Sequence, residues 1–336
     1  MSDNISRRNA LKLFGVAAVA AIGSITGLSA CNKKEPENKA DNQNNQVPEA
    51  NDNQANENLA KDNAQAKDSD AKPAKSKRIV FYFTGTGNCM YVARELSDNI
   101  ISIPQAMKLN QLEYEAEEIG FVYPVYGMMP PNMVRKFIQS AKLKTDYFFA
   151  VATYGNKQGN AVNIWNDITK ASGYTFDYIA TLLMVDNWLP NFDMDEQKKI
   201  DKNIPQNLAK IKASLEKREK YLEAVAEEDI ERWNQRKTAD SGPFRGDGIH
   251  ALAEEWFTVT DACTTCGACT RLCPRNNYTM PGEKAVPKGE CELCFACIQN
   301  CPRKAIIITA GEKNPKARYR HEAITAKDIM NSNNQN

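Results

Sequence analysis

The sequence predicts an α/β fold, a doubly wound parallel sheet, followed by a small α+β domain organised by cysteines. Three observations predict it. The apolar run Ile79-Val80-Phe81-Tyr82-Phe83 enters a Gly-rich loop and then a helical repeat of apolar residues. Three further apolar runs each end in a polar or aromatic loop. Finally, a set of four closely spaced cysteines recurs as a second set of four.

The length allows two ordinary domains with chain to spare, and 43 Lys/Arg against 42 Asp/Glu leave a formal net charge of +1. A nucleic-acid partner therefore lacks its usual basic footprint. With His250 and His321 the only histidines, a His-based nucleophile triad or a His-rich metal centre has almost nothing to be built from. The informative excess is ten cysteines.

The chain opens with Ser6-Arg7-Arg8-Asn9-Ala10-Leu11-Lys12 ahead of an Ala/Gly-rich stretch at residues 13–30, the layout of a twin-arginine export signal. Its end, Leu28-Ser29-Ala30-Cys31, resembles the lipobox at which bacterial lipoproteins are cleaved and acylated. On this reading residues 1–31 are the signal, Cys31 carries the lipid, and the rest lies on the periplasmic or extracellular side of a bacterial membrane. The alternative is an uncleaved transmembrane anchor, for which so Ala- and Gly-rich a stretch makes a poor span. Residues 32–77 contain no aromatic, and Val47 and Leu59 are their only large aliphatics. Such a segment cannot bury enough apolar surface to offset its backbone entropy, so it reads as a disordered linker. As a flexible coil it spans roughly 35–40 Å.

Residues 78–240 read as the sheet domain. The first strand is followed by Thr84-Gly85-Thr86-Gly87-Asn88-Cys89, with Met90, Val92, Ala93 and Leu96 at helical spacing behind it. Backbone amides in such a loop, backed by the positive end of the helix, cradle a phosphate. A dinucleotide loop would need a glycine where Met90 stands, and no Gly-Lys-Ser/Thr is present for a triphosphate loop. The loop resembles the hydroxyl-rich FMN phosphate loop of flavodoxins at Thr84, Thr86 and Gly87, with Cys89 in place of the last hydroxyl. That resemblance implies FMN binding by Thr84, Gly85, Thr86, Gly87 and Asn88. Cys89 reads either as a thiol activated by the helix terminus or as a small filling residue.

Strands are expected at residues 119–123, 147–153 and 178–185, the first two followed by helices at Met133–Ile138 and Val162–Ile168 positions of apolar spacing. Loops after successive parallel strands emerge on one edge of the sheet, where open α/β folds bind ligands. In flavodoxin-like proteins the second and third of these loops hold the flavin ring. The resemblance thus implies ring contacts from Pro124, Val125, Tyr126 and Gly127 and from Thr153, Tyr154 and Gly155, with Trp188 a weaker candidate. Apolar residues from Leu208 to Trp233 recur at helical spacing and predict one closing helix. Ser241-Gly242-Pro243 marks the boundary.

Residues 241–320 form the cysteine domain, and 321–336 a C-terminal tail. Cys263-x-x-Cys266-x-x-Cys269-x-x-x-Cys273-Pro274 recurs as Cys291-x-x-Cys294-x-x-Cys297-x-x-x-Cys301-Pro302. Disulfides are the natural alternative in an exported chain, and structural zinc is another. Intervals of three and four suit a loop curled around an iron–sulfur cluster better than bridges between distant segments. Zinc hooks, in turn, lack a third cysteine followed by Cys-Pro. The run is that of bacterial two-cluster ferredoxins, in which the fourth cysteine of each run ligates the other cluster. The resemblance implies one [4Fe-4S] cluster on Cys263, Cys266, Cys269 and Cys301, and a second on Cys291, Cys294, Cys297 and Cys273.

Over residues 78–310 the chain resembles the EFR1 family of flavodoxin/ferredoxin fusion proteins. The likeness is carried by Phe83-Thr84-Gly85-Thr86-Gly87-Asn88, Tyr123-Pro124-Val125-Tyr126, Ala152-Thr153-Tyr154-Gly155 and both cysteine runs. It implies electron transfer among the two clusters, FMN and a partner redox protein. The alternative is a flavin-dependent oxidoreductase that reduces a small substrate at FMN, with Asp186, Tyr126 or Tyr154 as proton donors. Twin-arginine export carries folded proteins, so the cofactors could be inserted before the thiols meet an oxidising compartment.

Overall fold

The computed structural model describes residues 76–336. The expected export signal, Cys31 and the expected linker as far as residue 75 lie outside the described residues. Among the described residues no helix is long and apolar enough to cross a membrane.

Seven strands form one sheet: β1 (Ser76–Tyr82), β2 (Ile100–Ser102), β3 (Glu113–Pro124), β4 (Lys142–Lys144), β5 (Tyr147–Tyr154), β6 (Tyr178–Leu183) and β7 (Tyr221–Leu222). Their order is β2-β1-β3-β5-β6-β7, with β4 beside the start of β3, and every pairing is parallel. With short β4 and edge β7 set aside, this is the 2-1-3-4-5 order of the flavodoxin-like fold, as the sequence predicts. Helices α1 (Asn88–Leu96), α2 (Ile103–Lys108), α3 (Asn132–Ser140), α4 (Ala161–Ala171), α5 (Met194–Gln197) and α6 (Ile204–Glu216) lie between the strands, and α7 (Glu227–Arg236) follows β7. Covered on both faces, the central strands carry buried runs at 79–82, 119–123 and 147–152. Phe81 packs on Phe137 at 4.9 Å, and Phe121 on Trp165 at 5.3 Å.

The single closing helix expected between Leu208 and Trp233 is instead two helices with a strand between them. Five consecutive charged residues, Glu216-Lys217-Arg218-Glu219-Lys220, leave nothing apolar to hold a further turn on the sheet. Arg218 turns the chain in the left-handed region (φ 51°), and its Nε donates to buried Glu118 Oε1 at 2.8 Å. Tyr221 and Leu222 then add β7 to the sheet.

In the cysteine domain Ile306–Ile308 pairs antiparallel with Phe257–Val259, which lies ahead of the first cysteine run. The expected tail contains a further helix, Ala326–Asn333, opened by a Thr325/Asp328 capping box. It returns to the sheet domain, where Ser102 Oγ donates to the Ser332 carbonyl at 2.5 Å and Gln105 Nε2 to that of Asn334 at 2.7 Å. Ala268, Leu272, Cys294, Ala296, Ile324 and Ile329 share one buried core with the sheet domain. Packing therefore runs unbroken across the boundary at residue 241.

Candidate functional site

The two cysteine runs curl in the same way. Thr265 and Leu293, at equivalent places, take φ of 52° and 51°, and Gly267 and Phe295 take 70° and 57°. Left-handed turns cost a β-carbon residue roughly 1 kcal/mol or more, and such strain gathers where a loop must wrap a ligand. Each curl ends in a short helix, Ala268–Leu272 or Ala296–Gln299, carrying the third cysteine in its first turn.

The fourth cysteine of the first run stands with the first three of the second. Cys273, Cys291, Cys294 and Cys297 line one small cavity, closed by Phe257, Tyr278 and Phe295. Across from it, Cys301 stands with the first run: burial, with smaller contributions from Cys263, Cys266 and Cys301, pushes the Cys269 thiol up to about 12. All nine described cysteines are free thiols. Among the described residues no group of three or more His, Cys, Asp or Glu converges as the ligands of a single metal ion do. With their thiols raised by burial, Cys269, Cys273, Cys291, Cys294 and Cys297 release protons on binding a metal group. Several sulfurs already have donors: the amides of Asn277, Leu293 and Ala305 point at Cys273, Cys291 and Cys301, each at 3.3 Å.

The phosphate loop follows β1 as expected, and residues 81–90 are all buried. Thr84 Oγ1 accepts from the Gly87 amide at 3.0 Å and fixes the turn. The amides of Gly85, Thr86, Asn88 and Met90 find no acceptor among the described residues, whereas the next one, Tyr91, bonds the Gly87 carbonyl. Unpaired buried amides at a helix start suit an anion. Cys89 is no activated thiol. Its Sγ lies 3.1 Å from Thr153 Oγ1, and burial pushes it up to about 12.

The chain's own groups cover this loop. A Cβ on Gly85 would overlap the Cys294 carbonyl, and one on Gly87 would press on His321 and Ile324. Asn187 Nδ2 donates to Thr86 Oγ1 at 2.7 Å, the His321 amide to the Thr86 carbonyl at 2.8 Å, and Asn333 Nδ2 to the Thr84 carbonyl at 3.0 Å. Tyr319 Oη donates to Asn88 Oδ1 at 2.6 Å. Gln299, on the helix after Cys297, completes a ring: its Nε2 donates to the Asn187 carbonyl, and its Oε1 accepts from the Tyr319 amide.

The ring-side loops are covered as well. Phe244 lies against Gly127, and Asp186 against Gly155. Val125 is tied to Thr153 by its amide at 2.8 Å. Tyr126 packs against both buried cores, while the Tyr154 phenol lies beside Thr181 and Glu223, away from the phosphate loop. Trp188 stacks on Phe295 at 5.0 Å, not on a free surface. The donor set thus fits a flavin phosphate, but the Cys294 turn and the segment from Tyr319 to Asn333 must withdraw to admit one. Of these covering residues, Gln299, Tyr319 and Asn333 carry no signal in the sequence.

Residues 256–302 match the family of 4Fe-4S dicluster domains; this segment carries two [4Fe-4S] clusters. No curated protein matches the chain. Similar solved structures include a flavoprotein of Bacteroides uniformis, 17% identical, covering 32% of this chain and 91% of its own, at a TM-score of 0.26. A Lactobacillus acidophilus flavoprotein in complex with FMN is 11% identical over 32% and 93%, TM-score 0.23. Megasphaera elsdenii flavodoxin is 21% identical over 31% and 84%, TM-score 0.22. The fold assignment rests on the strand order, not on these likenesses.

Proposed function

We propose that this chain is an exported, membrane-tethered electron-transfer protein of the EFR1 type, passing electrons among two [4Fe-4S] clusters, FMN and a partner redox protein. The observation that carries the reading is the cavity in which Cys273 joins Cys291, Cys294 and Cys297. Cys294 also closes onto Gly85, so this cavity abuts the phosphate loop. The other cysteine set opens outward: Cys266 is exposed, and Cys263 and Cys301 are half-buried. A relay with one end at solvent and the other at the sheet edge follows from that placement.

Clusters supply single electrons and a flavin one or two, which together match one-electron partners to two-electron chemistry. Cys263, Cys266, Cys269 and Cys301 hold the outer cluster, and Cys291, Cys294, Cys297 and Cys273 the inner one. Thr84, Gly85, Thr86, Gly87 and Asn88 hold the flavin phosphate once the covering segments withdraw. A carrier is favoured over a substrate-reducing enzyme because two of the three candidate proton donors are engaged. Tyr126 is packed between two cores, and Tyr154 lies beside Thr181 and Glu223.

Arg7, Arg8 and Cys31 support export and a lipid tether. Replacing both arginines by Lys traps cofactor-loaded protein in the cytoplasm, and Cys31→Ala abolishes acyl labelling; normal export and labelling would contradict the tether. Stepwise anaerobic reduction followed by electron paramagnetic resonance tests the carrier. Two one-electron uptakes on the cysteine centres are expected, and a protein that takes up no electrons contradicts it.

A further inference from the structure

The internal repeat keeps one sulfur donor after each fourth cysteine and differs at the next position. Asn277 and Ala305 are equivalent, and their amides donate to Cys273 and Cys301 at the same 3.3 Å. The next pair is Tyr278 and Ile306, both buried. Tyr278 Oη donates to Cys297 Sγ at 3.3 Å, inside the cavity lined by Cys273, Cys291, Cys294 and Cys297. Ile306 has no hydroxyl to offer the other set. Tyr278 lies on a short antiparallel pair with Val286–Pro287, which fixes its backbone.

Cluster potentials follow net charge, burial and hydrogen bonds to sulfur. Reduction adds negative charge that the ligating sulfurs share. A donor to sulfur stabilises that charge, whereas burial opposes it. The inner set is the more buried of the two, with Cys273, Cys294 and Cys297 buried and Cys266 of the outer set exposed. One hydroxyl on the inner set alone therefore acts where added charge is hardest to place.

We infer that Tyr278 is a positioning residue that raises the reduction potential of the inner cluster alone, through its hydrogen bond to Cys297, and so favours movement of one electron from the outer cluster to the inner. The transfer oxidises one centre as it reduces the other and moves no proton. This rests on the cluster reading above, and iron analysis of the same preparations separates failure of that reading from failure of this one.

The test is Tyr278→Phe in the full chain, which keeps the ring and removes the hydroxyl. Potentiometric titration with paramagnetic resonance should show one midpoint falling, with its reduction equilibrium shifted several-fold toward the oxidised form, a tenfold change being about 59 mV for one electron. The second midpoint should stay in place, and iron content should be unchanged. Midpoints that do not move, or that move together, overturn the proposal. So does loss of one cluster's iron, which would make Tyr278 an assembly residue.

Discussion

The Cys294 carbonyl oxygen lies against Gly85, so the second cysteine run touches the loop that follows the first strand. The contact joins two segments far apart in sequence and puts the inner cysteine set at the ligand edge of the sheet. Every other feature of the site is arranged around it.

Gly85→Ala should therefore strain the junction without touching a thiol. The obstacle is backbone rather than the far end of a flexible side chain, and overpacking of this kind costs about 1–3 kcal/mol. Thermal unfolding of the anaerobic protein should show the loss. Gly282→Ala, where a Cβ meets nothing within 4 Å, is the control and should leave stability almost unchanged.

Cys273→Ser should remove the cluster of the second cysteine run, although Cys273 belongs to the first. Iron should drop by about half, with the outer cluster's signal retained. Loss of the outer signal instead would mean that each run binds its own cluster.

The covering segment should govern flavin access. Tyr319→Phe combined with Asn333→Ala removes the bonds to Asn88 and to the Thr84 carbonyl. Two hydrogen bonds at about 1 kcal/mol each correspond to at least a tenfold change in equilibrium. Quenching of FMN fluorescence should report binding at least tenfold tighter in the double variant than in the wild type; equal affinities would count against the cover.

Acid should loosen the same segment. His321 stacks on Tyr91 at 4.2 Å and accepts from the Ala323 amide through Nδ1, and burial lowers its pKa from 6.5. A base with a lowered pKa must stay neutral while docked, so undocking takes up a proton. Docking is then undiminished above about 6.5 and weakens as pH falls below it. Amide protection factors across the C-terminal helix, corrected for the intrinsic pH dependence of exchange, should fall between pH 7.5 and 5.5, and His321→Gln should flatten that dependence.

What was legible in the sequence was local. Cysteines at intervals of three and four, and glycines between an apolar strand and a helix, carry their chemistry in adjacent letters. The helix break after Glu216 could have been anticipated from five charges in a row. Tyr319, Gln299 and Asn333 could not, because nothing in their surroundings marks the buried bonds they make with residues up to 249 positions away. The helix Ala326–Asn333 was missed for a similar reason: its few apolar residues suffice only because the sheet domain receives them.

The most direct test of the central claim is joint analysis of iron, acid-labile sulfide, zinc and free thiol in full-length protein purified without oxygen. Two clusters predict about eight iron and about eight sulfide per chain, with little zinc. Cysteines joined in disulfides, or zinc in place of iron, would contradict it.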